Sequence, residues 1–273
     1  MSREPRHDFE PWLTVWRLAP DGEPIVTPSS RLLPVRSSAG ADLMLKIATA
    51  HEERSGAAFM VWRAGEGAAG VMAHEGDALL MARATGPRSL KRMAETGDDD
   101  EATLVLCGVV AALHGPRLAP PAALVPLARW FDSLLAAGGH GGLVARCAAT
   151  AHELLDAPSE VVPLHGDIHH GNVLDFGRDG WLAIDPKGLM GERAFDYANL
   201  FCNPTVDLAR EPNVLARRLK IVSAAASLDP ERLLKWVLAW AALSAIWNVE
   251  DGKTTDPDLT IAEIAAAELD RRL

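Results

Sequence analysis

The 273-residue chain has little cysteine: three residues, Cys107, Cys147 and Cys202, with no Cys-x-x-Cys pair. An odd number so widely spaced excludes a disulfide framework and points to the reducing cytoplasm. Long apolar runs are absent. The longest, Trp236 to Trp247, is twelve residues broken by Ser244, short of the ~20 that span a bilayer, and reads as a buried helix. The opening MSREPRHDFEPW lacks the apolar core of a signal peptide. No internal repeat is visible. Positive charge is scarce: 27 Lys+Arg against 37 Asp+Glu leaves a net −10. That balance argues against nucleic acid or an anionic membrane surface as partner and favours a cationic ligand. What remains, 48% apolar and 23% charged, is ordinary globular composition of one or two domains.

The organisation changes near residue 85. Before it, Thr14–Leu18, Ser30–Arg36, Leu43–Ile47, Val71–His74 and Ala78–Ala84 have strand length and turn-like borders, and Thr49–Trp62 reads as one helix inserted after the third strand. After Gly86–Pro87 the chain turns helical. Asp98–Glu101 heads the apolar run Ala102–Leu113, where acidic residues complement a helix start and are read as capping, not as a metal site. A proline-rich loop over 115–126 leads to helices near Leu127–Ala137 and Leu143–Leu155. Asn172–Phe176 and Trp181–Asp185 flank a Gly-bounded turn as a hairpin. Helices are expected over Val206–Ser227, Pro230–Asn248 and Asp258–Arg272, with Asp229–Pro230 as cap and first helical residue.

The chemistry concentrates in VVPLHGDIHHGNVLDFGRDGWLAID, residues 161–185. Asp167 stands five residues before Asn172. Asp185 stands thirteen beyond it, at the end of the second hairpin strand. Phosphoryl transfer from ATP requires a carboxylate to position the acceptor hydroxyl, and an Asn and a second Asp to hold magnesium on the phosphates. The order Asp, Asn, hairpin, Asp is that of a kinase catalytic loop. The literal Asp175-Phe176-Gly177 follows Asn172 too closely to leave room for the hairpin and is read as strand end and turn. A cation is also needed on the phosphates. Lys46 is the sole lysine of the first ninety residues, in an apolar strand where it must be paired. Glu53 on the next helix is the expected partner and Glu52 its rival; an exposed strand lysine is the plain alternative. No Gly-x-Gly-x-x-Gly lies between the first strands, and Ser29-Ser30-Arg31 occupies that turn. His165, His169 and His170 are acceptable zinc ligands, but the other histidines show no pairing that would complete such a site.

His165–Asn172 followed by Ile184-Asp185 resembles the signature of the aminoglycoside phosphotransferases. The stretches RLLPV (31–35), ALLMARATG (78–86), LHGDIHHGNVLDFGRDGWLAIDPKGLMGERAFDYANLF (164–201) and LSAIWN (243–248) are similar to their streptomycin 6-phosphotransferase branch, which includes the aminoglycoside/hydroxyurea kinases. The resemblance runs from about Trp12 to Leu273. It implies a bilobal, protein-kinase-like α+β fold: a small N-terminal antiparallel sheet lobe with one helix over 1–84 and a larger, mainly helical lobe over 85–273. It implies Asp167 as the base or positioning carboxylate, and Asn172 and Asp185 as magnesium ligands. Lys46 would contact the α- and β-phosphates and pair with Glu53. The backbones of Ala82 and Ala84 would face adenine in the hinge Met81–Ala84, and Ser29 and Ser30 would touch phosphate. His165 would brace the catalytic loop and Asp196 would anchor it.

The activity so implied is ATP-dependent phosphorylation of streptomycin on the 6-hydroxyl of streptidine, inactivating the drug. The enzyme would be a cytoplasmic monomer with no nucleic-acid or membrane partner. Streptidine carries two guanidinium groups, which suit an acidic cleft. Glu192, Glu250 and Asp251 are candidate carboxylates and Trp247 a candidate stacking partner; core packing of Trp247 and a solvated loop for Glu250 and Asp251 are the plain alternatives. Another acceptor (hydroxyurea, choline, homoserine or a fructosamine) stays within the fold. A non-catalytic kinase-like binding protein is the reading of a different class, disfavoured because Lys46, Asp167, Asn172 and Asp185 are all present.

Overall fold

The structure, a computed structural model, describes residues 8–211, 213–252 and 256–272. Alternation of side chains builds the N-terminal sheet. Strands β1 (Leu18–Pro20), β2 (Ile25–Val26), β3 (Ser30–Ser37), β4 (Asp42–Ala48), β5 (Val71–Glu75) and β6 (Ala78–Ala82) pair antiparallel in the order β1-β3-β4-β6-β5, with β2 also on β3. One face of the sheet, with Leu43, Leu45, Ala78 and Leu80, packs on Phe9, Trp12 and Leu13 in and beside helix α1 (Glu10–Val15). The other face, with Met44, Leu79 and Met81, joins the main core beside Phe59 and Met60 of α2 (Glu53–Arg63). A period of two therefore puts Lys46 on the α2 side.

The strand expected over Thr14–Leu18 is a correction. Residues 10–15 are helical and β1 begins only at Leu18. Pro11 lies in the first turn, where its fixed φ suits a helix, and Trp12 and Trp16 meet one turn apart with ring centroids at 4.9 Å.

The second lobe holds α3 (Leu90–Glu95), α4 (Asp99–Leu113), α5 (Leu127–Trp130), α6 (Asp132–Ala137), α7 (Gly142–Asp156), α8 (Val206–Ala209), α9 (Val214–Ala226), α10 (Pro230–Glu250) and α11 (Asp256–Arg272). The single helix expected over Val206–Ser227 is split in two. The sequence places Pro212 between α8 and α9, and a proline cannot donate the bond that would continue the helix. The N-cap Asp229 accepts from the Arg232 N–H at 2.7 Å. Helix α10 runs through the core, with Trp236 packed against Phe131 and Phe195 at centroid distances of 5.8 and 5.5 Å. The acidic head of α4 was expected to cap, but its N-cap Asp98 makes no side-chain cap hydrogen bond, and the next residue serves the core. Buried Asp99 takes both Nε and Nη2 of buried Arg218, at 3.1 and 2.6 Å. Among the described residues no helix is long and apolar enough to cross a membrane. Cys107, Cys147 and Cys202 are free and buried.

Two small sheets carry the loops of the expected site. Strands β9 (Val173–Asp175) and β10 (Trp181–Ala183) form the expected hairpin. The other sheet was not foreseen: β11 (Leu189–Glu192) lies antiparallel to β8 (Val161–Leu164) and parallel to β7 (Val125–Pro126). Segment 165–172 therefore leaves the end of β8, and the hairpin returns the chain to Asp185 beside it.

Candidate active site

Lys46 is buried, and its ammonium is ion-paired with both Glu53 of α2 and Asp185. Burial opposes its charge, but the carboxylates of Asp185 and Glu53 outweigh burial and hold the ammonium above its usual range. Asp185 is conversely held below the usual carboxylate range, because Lys46 and Lys187 overcome its desolvation. Its backbone is left-handed, φ 59°, a conformation that costs a non-glycine residue about 1–3 kcal/mol and persists where surrounding contacts impose it. Those contacts are on α2. The Ser55 hydroxyl donates to the Lys187 carbonyl at 2.8 Å. A Cβ on Gly56 would sit 2.0 Å from the Pro186 carbonyl oxygen, and one on Gly188 would sit 2.3 Å from that of Ser55. Helix and loop meet backbone to backbone.

Asp167 is gripped on several sides. Asn172 Nδ2 donates to its carbonyl at 3.0 Å and to Oδ2 at 3.1 Å, while Asn199 Nδ2 donates to Oδ1 at 2.8 Å. Trp240 of α10 in turn donates to Asn199 Oδ1 at 2.9 Å, so the core helix orients the carboxylate. Burial raises the Asp167 carboxyl above its usual value, against the pull of His169 and Lys187. His165 is buried and held neutral, with burial pushing its pKa down to about 4. Its Nδ1 accepts the Asp167 N–H at 3.2 Å, so Nε2 carries the proton and donates to the Ile184 carbonyl at 2.9 Å. Asp196 accepts the N–H groups of His165 (2.9 Å) and Gly166 (2.7 Å) and pairs with His114 Nε2 (2.8 Å).

Asn172 and Asp185 offer hard oxygens. The amide nitrogen of Asn172 is engaged by Asp167 and its Oδ1 has no hydrogen bond among the described residues; Asp185 bonds Lys46 through Oδ1 and leaves Oδ2. An oxygen-only donor pair suits magnesium. No group of three or more His, Cys, Asp or Glu converges on a metal position among the described residues. The ion's shell would be completed by phosphate and water. The three histidines take separate surroundings: His165 bonds Ile184, His169 Nδ1 accepts from Gly171 N–H at 3.1 Å, and His170 is buried with neither ring nitrogen bonded.

Asp175, the literal motif's aspartate, lies elsewhere. It is buried and accepts Arg88 Nε and Nη2, each at 2.8 Å, tying the hairpin to the segment after the sheet. At the hinge, the Ala82 N–H donates to the Gly70 carbonyl at 2.8 Å, while Ala84 N–H has no bond among the described residues. The serine turn closes on itself. Ser30 N–H and Oγ both bond Thr27 Oγ1 at 3.0 Å, and the Ser29 hydroxyl donates to Glu53. Ser30 therefore has neither group left for a phosphate.

A surface depression adjoins Asp167 through Lys187, whose ammonium is 3.8 Å from Asp167 Oδ2; it is lined by Glu52, Arg129, Trp130, Asp132, Ser133, Lys187, Trp247, Glu250 and Asp251. Trp247 serves both readings: it lines this wall and packs edge-to-face on Trp130 (5.3 Å) and Trp240 (5.7 Å). Glu192 is a correction. It is buried at the far end of β11, opposite Val161, with its carboxylate on Arg232 Nε (2.7 Å) and Nη2 (2.6 Å) and the Ser159 N–H (3.0 Å). Both oxygens are already satisfied, and it does not line the depression. Sequence reasoning missed Lys187, Asn199 and His114. The nearest sequence signal was Lys187's place two residues after Asp185.

The family model "Aminoglycoside/hydroxyurea antibiotic resistance kinase" matches residues 15–252. The chain belongs to that family. It is 48% identical to a streptomycin 3''-kinase of Klebsiella pneumoniae, over 94% of this chain and 98% of the relative. It is 32% identical to a streptomycin 6-kinase of Streptomyces griseus, over 93% and 85%. A solved structure of amicoumacin kinase hAmiN with AMP-PNP, Ca2+ and Ami superposes with TM-score 0.65 at 13% identity, covering 97% of this chain and 94% of that one. Its likeness shows the same protein-kinase-like fold.

Proposed function

We propose that this kinase transfers the γ-phosphoryl group of ATP to a hydroxyl of streptomycin, inactivating it, and does so as a cytoplasmic monomer. The observation that carries this reading is the depression beside Asp167. Four carboxylates there, Glu52, Asp132, Glu250 and Asp251, stand against two cations, Arg129 and Lys187, a balance suited to a ligand with two guanidinium groups. The acceptor hydroxyl we assign is the 3''-hydroxyl, supported by the 48% identity to the relative of that name. The 6-hydroxyl, the expectation from sequence, is supported by the 32% relative and is the second reading.

In this reading Asp167 orients the acceptor hydroxyl and takes its proton, with Asn199 and Asn172 fixing the carboxylate. Lys46, held by Glu53, faces the α- and β-phosphates, and the Ala82 and Ala84 backbones face adenine. The proposed nucleotide lobe ends at residue 84. Asn172 and Asp185 hold magnesium. When bound, the ion neutralises phosphate charge. Catalysis then rests on positioning and charge.

The test is magnesium-dependent ADP release with streptomycin, kanamycin and hydroxyurea side by side, followed by phosphorus–proton correlation spectroscopy of the product. Turnover of streptomycin with phosphate on the 3''-oxygen is expected. Phosphate on the 6-oxygen would restore the second reading, and turnover of hydroxyurea alone would overturn the substrate.

A further inference from the structure

A cation in a pocket suited to a polycation needs a reason. Lys187 supplies one of the two in the depression, and unlike the exposed Arg129 it is half-buried. Its ammonium is ion-paired with Asp167 Oδ2 at 3.8 Å, beyond hydrogen-bond length, and no closer carboxylate holds it among the described residues. Its backbone is fixed: the N–H donates to the His165 carbonyl at 2.7 Å, and the carbonyl accepts from Ser55. On the other side of Asp185, Lys46 is paired with Glu53 and Asp185 and keeps a third N–H for the nucleotide phosphates. The nucleotide side of the site thus has its own cation. Lys187 stands on the acceptor side, next to the carboxylate that faces the reacting hydroxyl.

We propose that Lys187 is a further catalytic residue, its ammonium contacting the phosphoryl group in flight between nucleotide and acceptor. This rests on the kinase reading above. In the transfer, a bond forms between the acceptor oxygen and the γ-phosphorus. The bond from that phosphorus to the β–γ bridging oxygen breaks, its electron pair leaves on ADP, and the hydroxyl proton passes to Asp167. Lys187 keeps its proton throughout. Of the two cations that line the depression Arg129 is exposed, so Lys187 is the one held in place to face charge on the equatorial oxygens of the transferring group. The same ammonium repels a guanidinium-bearing acceptor. It therefore weakens ground-state binding while aiding transfer, which gives a kinetic signature opposite to that of a binding residue.

The experiment compares wild type with Lys187→Met and Lys187→Arg. For Lys187→Met, kcat falls by roughly 100-fold, the usual worth of one preorganised charge-stabilising donor, while KM for streptomycin stays level or falls and KM for ATP is unchanged. Lys187→Arg restores at least a tenth of the lost rate. A binding readout without nucleotide accompanies the kinetics. By calorimetry, Lys187→Met loses roughly tenfold in affinity for phosphorylated streptomycin and none for streptomycin. Slow transfer to water, measured without an aminoglycoside, falls in parallel, so an incorrect acceptor is distinguished from an incorrect role for Lys187. Should Lys187→Met fail to fold, Lys187→Gln carries the same comparison. A kcat within threefold of wild type, or a raised KM for streptomycin at unchanged kcat, would overturn the proposal.

Discussion

Replacing Asp196 by Asn tests whether the catalytic loop is held by charge as well as by shape. Asp196 is 1% exposed. Its Oδ2 faces two donors, His165 N–H and His114 Nε2, and its Oδ1 accepts the buried Gly166 N–H. An asparagine in its better orientation keeps an oxygen toward the first pair and turns an NH2 onto Gly166. One bond is lost and a buried donor is left unsatisfied, costing about 1–3 kcal/mol, and the two survivors fall from charged to neutral bonds, about 1 kcal/mol each. The sum, about 3–5 kcal/mol, is a large share of the roughly 5–15 kcal/mol by which domains are stable. At about 2–4 °C per kcal/mol for a chain somewhat smaller than this, the melting temperature drops by roughly 10 °C. The loop also shifts. Gly166 adjoins Asp167, and a displacement near 1 Å lowers turnover by roughly 100-fold, with both KM values little changed. Urea denaturation and steady-state kinetics at 15 °C measure the two effects separately. A stability loss below 1 kcal/mol with full turnover would refute the anchoring role.

Asp185→Ala should abolish activity, whereas Asp175→Ala should leave the magnesium dependence of turnover intact; magnesium titrations of both variants check this, and the reverse pattern would restore the literal Asp-Phe-Gly reading. Asp99→Asn strips a fully buried guanidinium of its counter-charge and should cost about 3–5 kcal/mol in urea unfolding, most of it recovered in the Asp99→Leu, Arg218→Met double variant. Stability should also fall with acid. Burial lowers His165 to about 4 and His170 to about 3, against about 6.5 when unfolded. Their contribution is complete above about pH 6.5 and is lost as pH falls toward those values, because the unfolded chain then binds up to two more protons. The slope approaches about 2.7 kcal/mol per pH unit near pH 5. Urea midpoints that do not move between pH 7 and 5 would contradict this.

Elements whose residues act through short, fixed spacing were legible from sequence. Strand alternation put Lys46 on one face of β4, and the hairpin carried Asp185 back beside Asp167. Contacts set by tertiary register were not legible. Glu192 stands only 25 residues after Asp167 in sequence. Because β11 runs antiparallel to β8, each residue from Leu189 onward lies roughly 3.3 Å farther along the strand, and Glu192 ends opposite Val161. Asn199 has no local motif; its role arises because α10 brings Trp240 within 2.9 Å of it. Thr14 and Val15 show the limit of strand-like composition, since α1 forms where Phe9 and Trp12 pack on the sheet.

The contact of Gly56 with Pro186 and of Gly188 with Ser55 has one further consequence. Regulation of a catalyst by swinging a helix requires a gap to swing into and a side chain to lever it. At Gly56 and Gly188 no side chain stands between helix and loop to act as a lever, since main chain lies directly on main chain. The pairing of Lys46 with Glu53 and Asp185 is then a resting property of the molecule, in place before any substrate arrives.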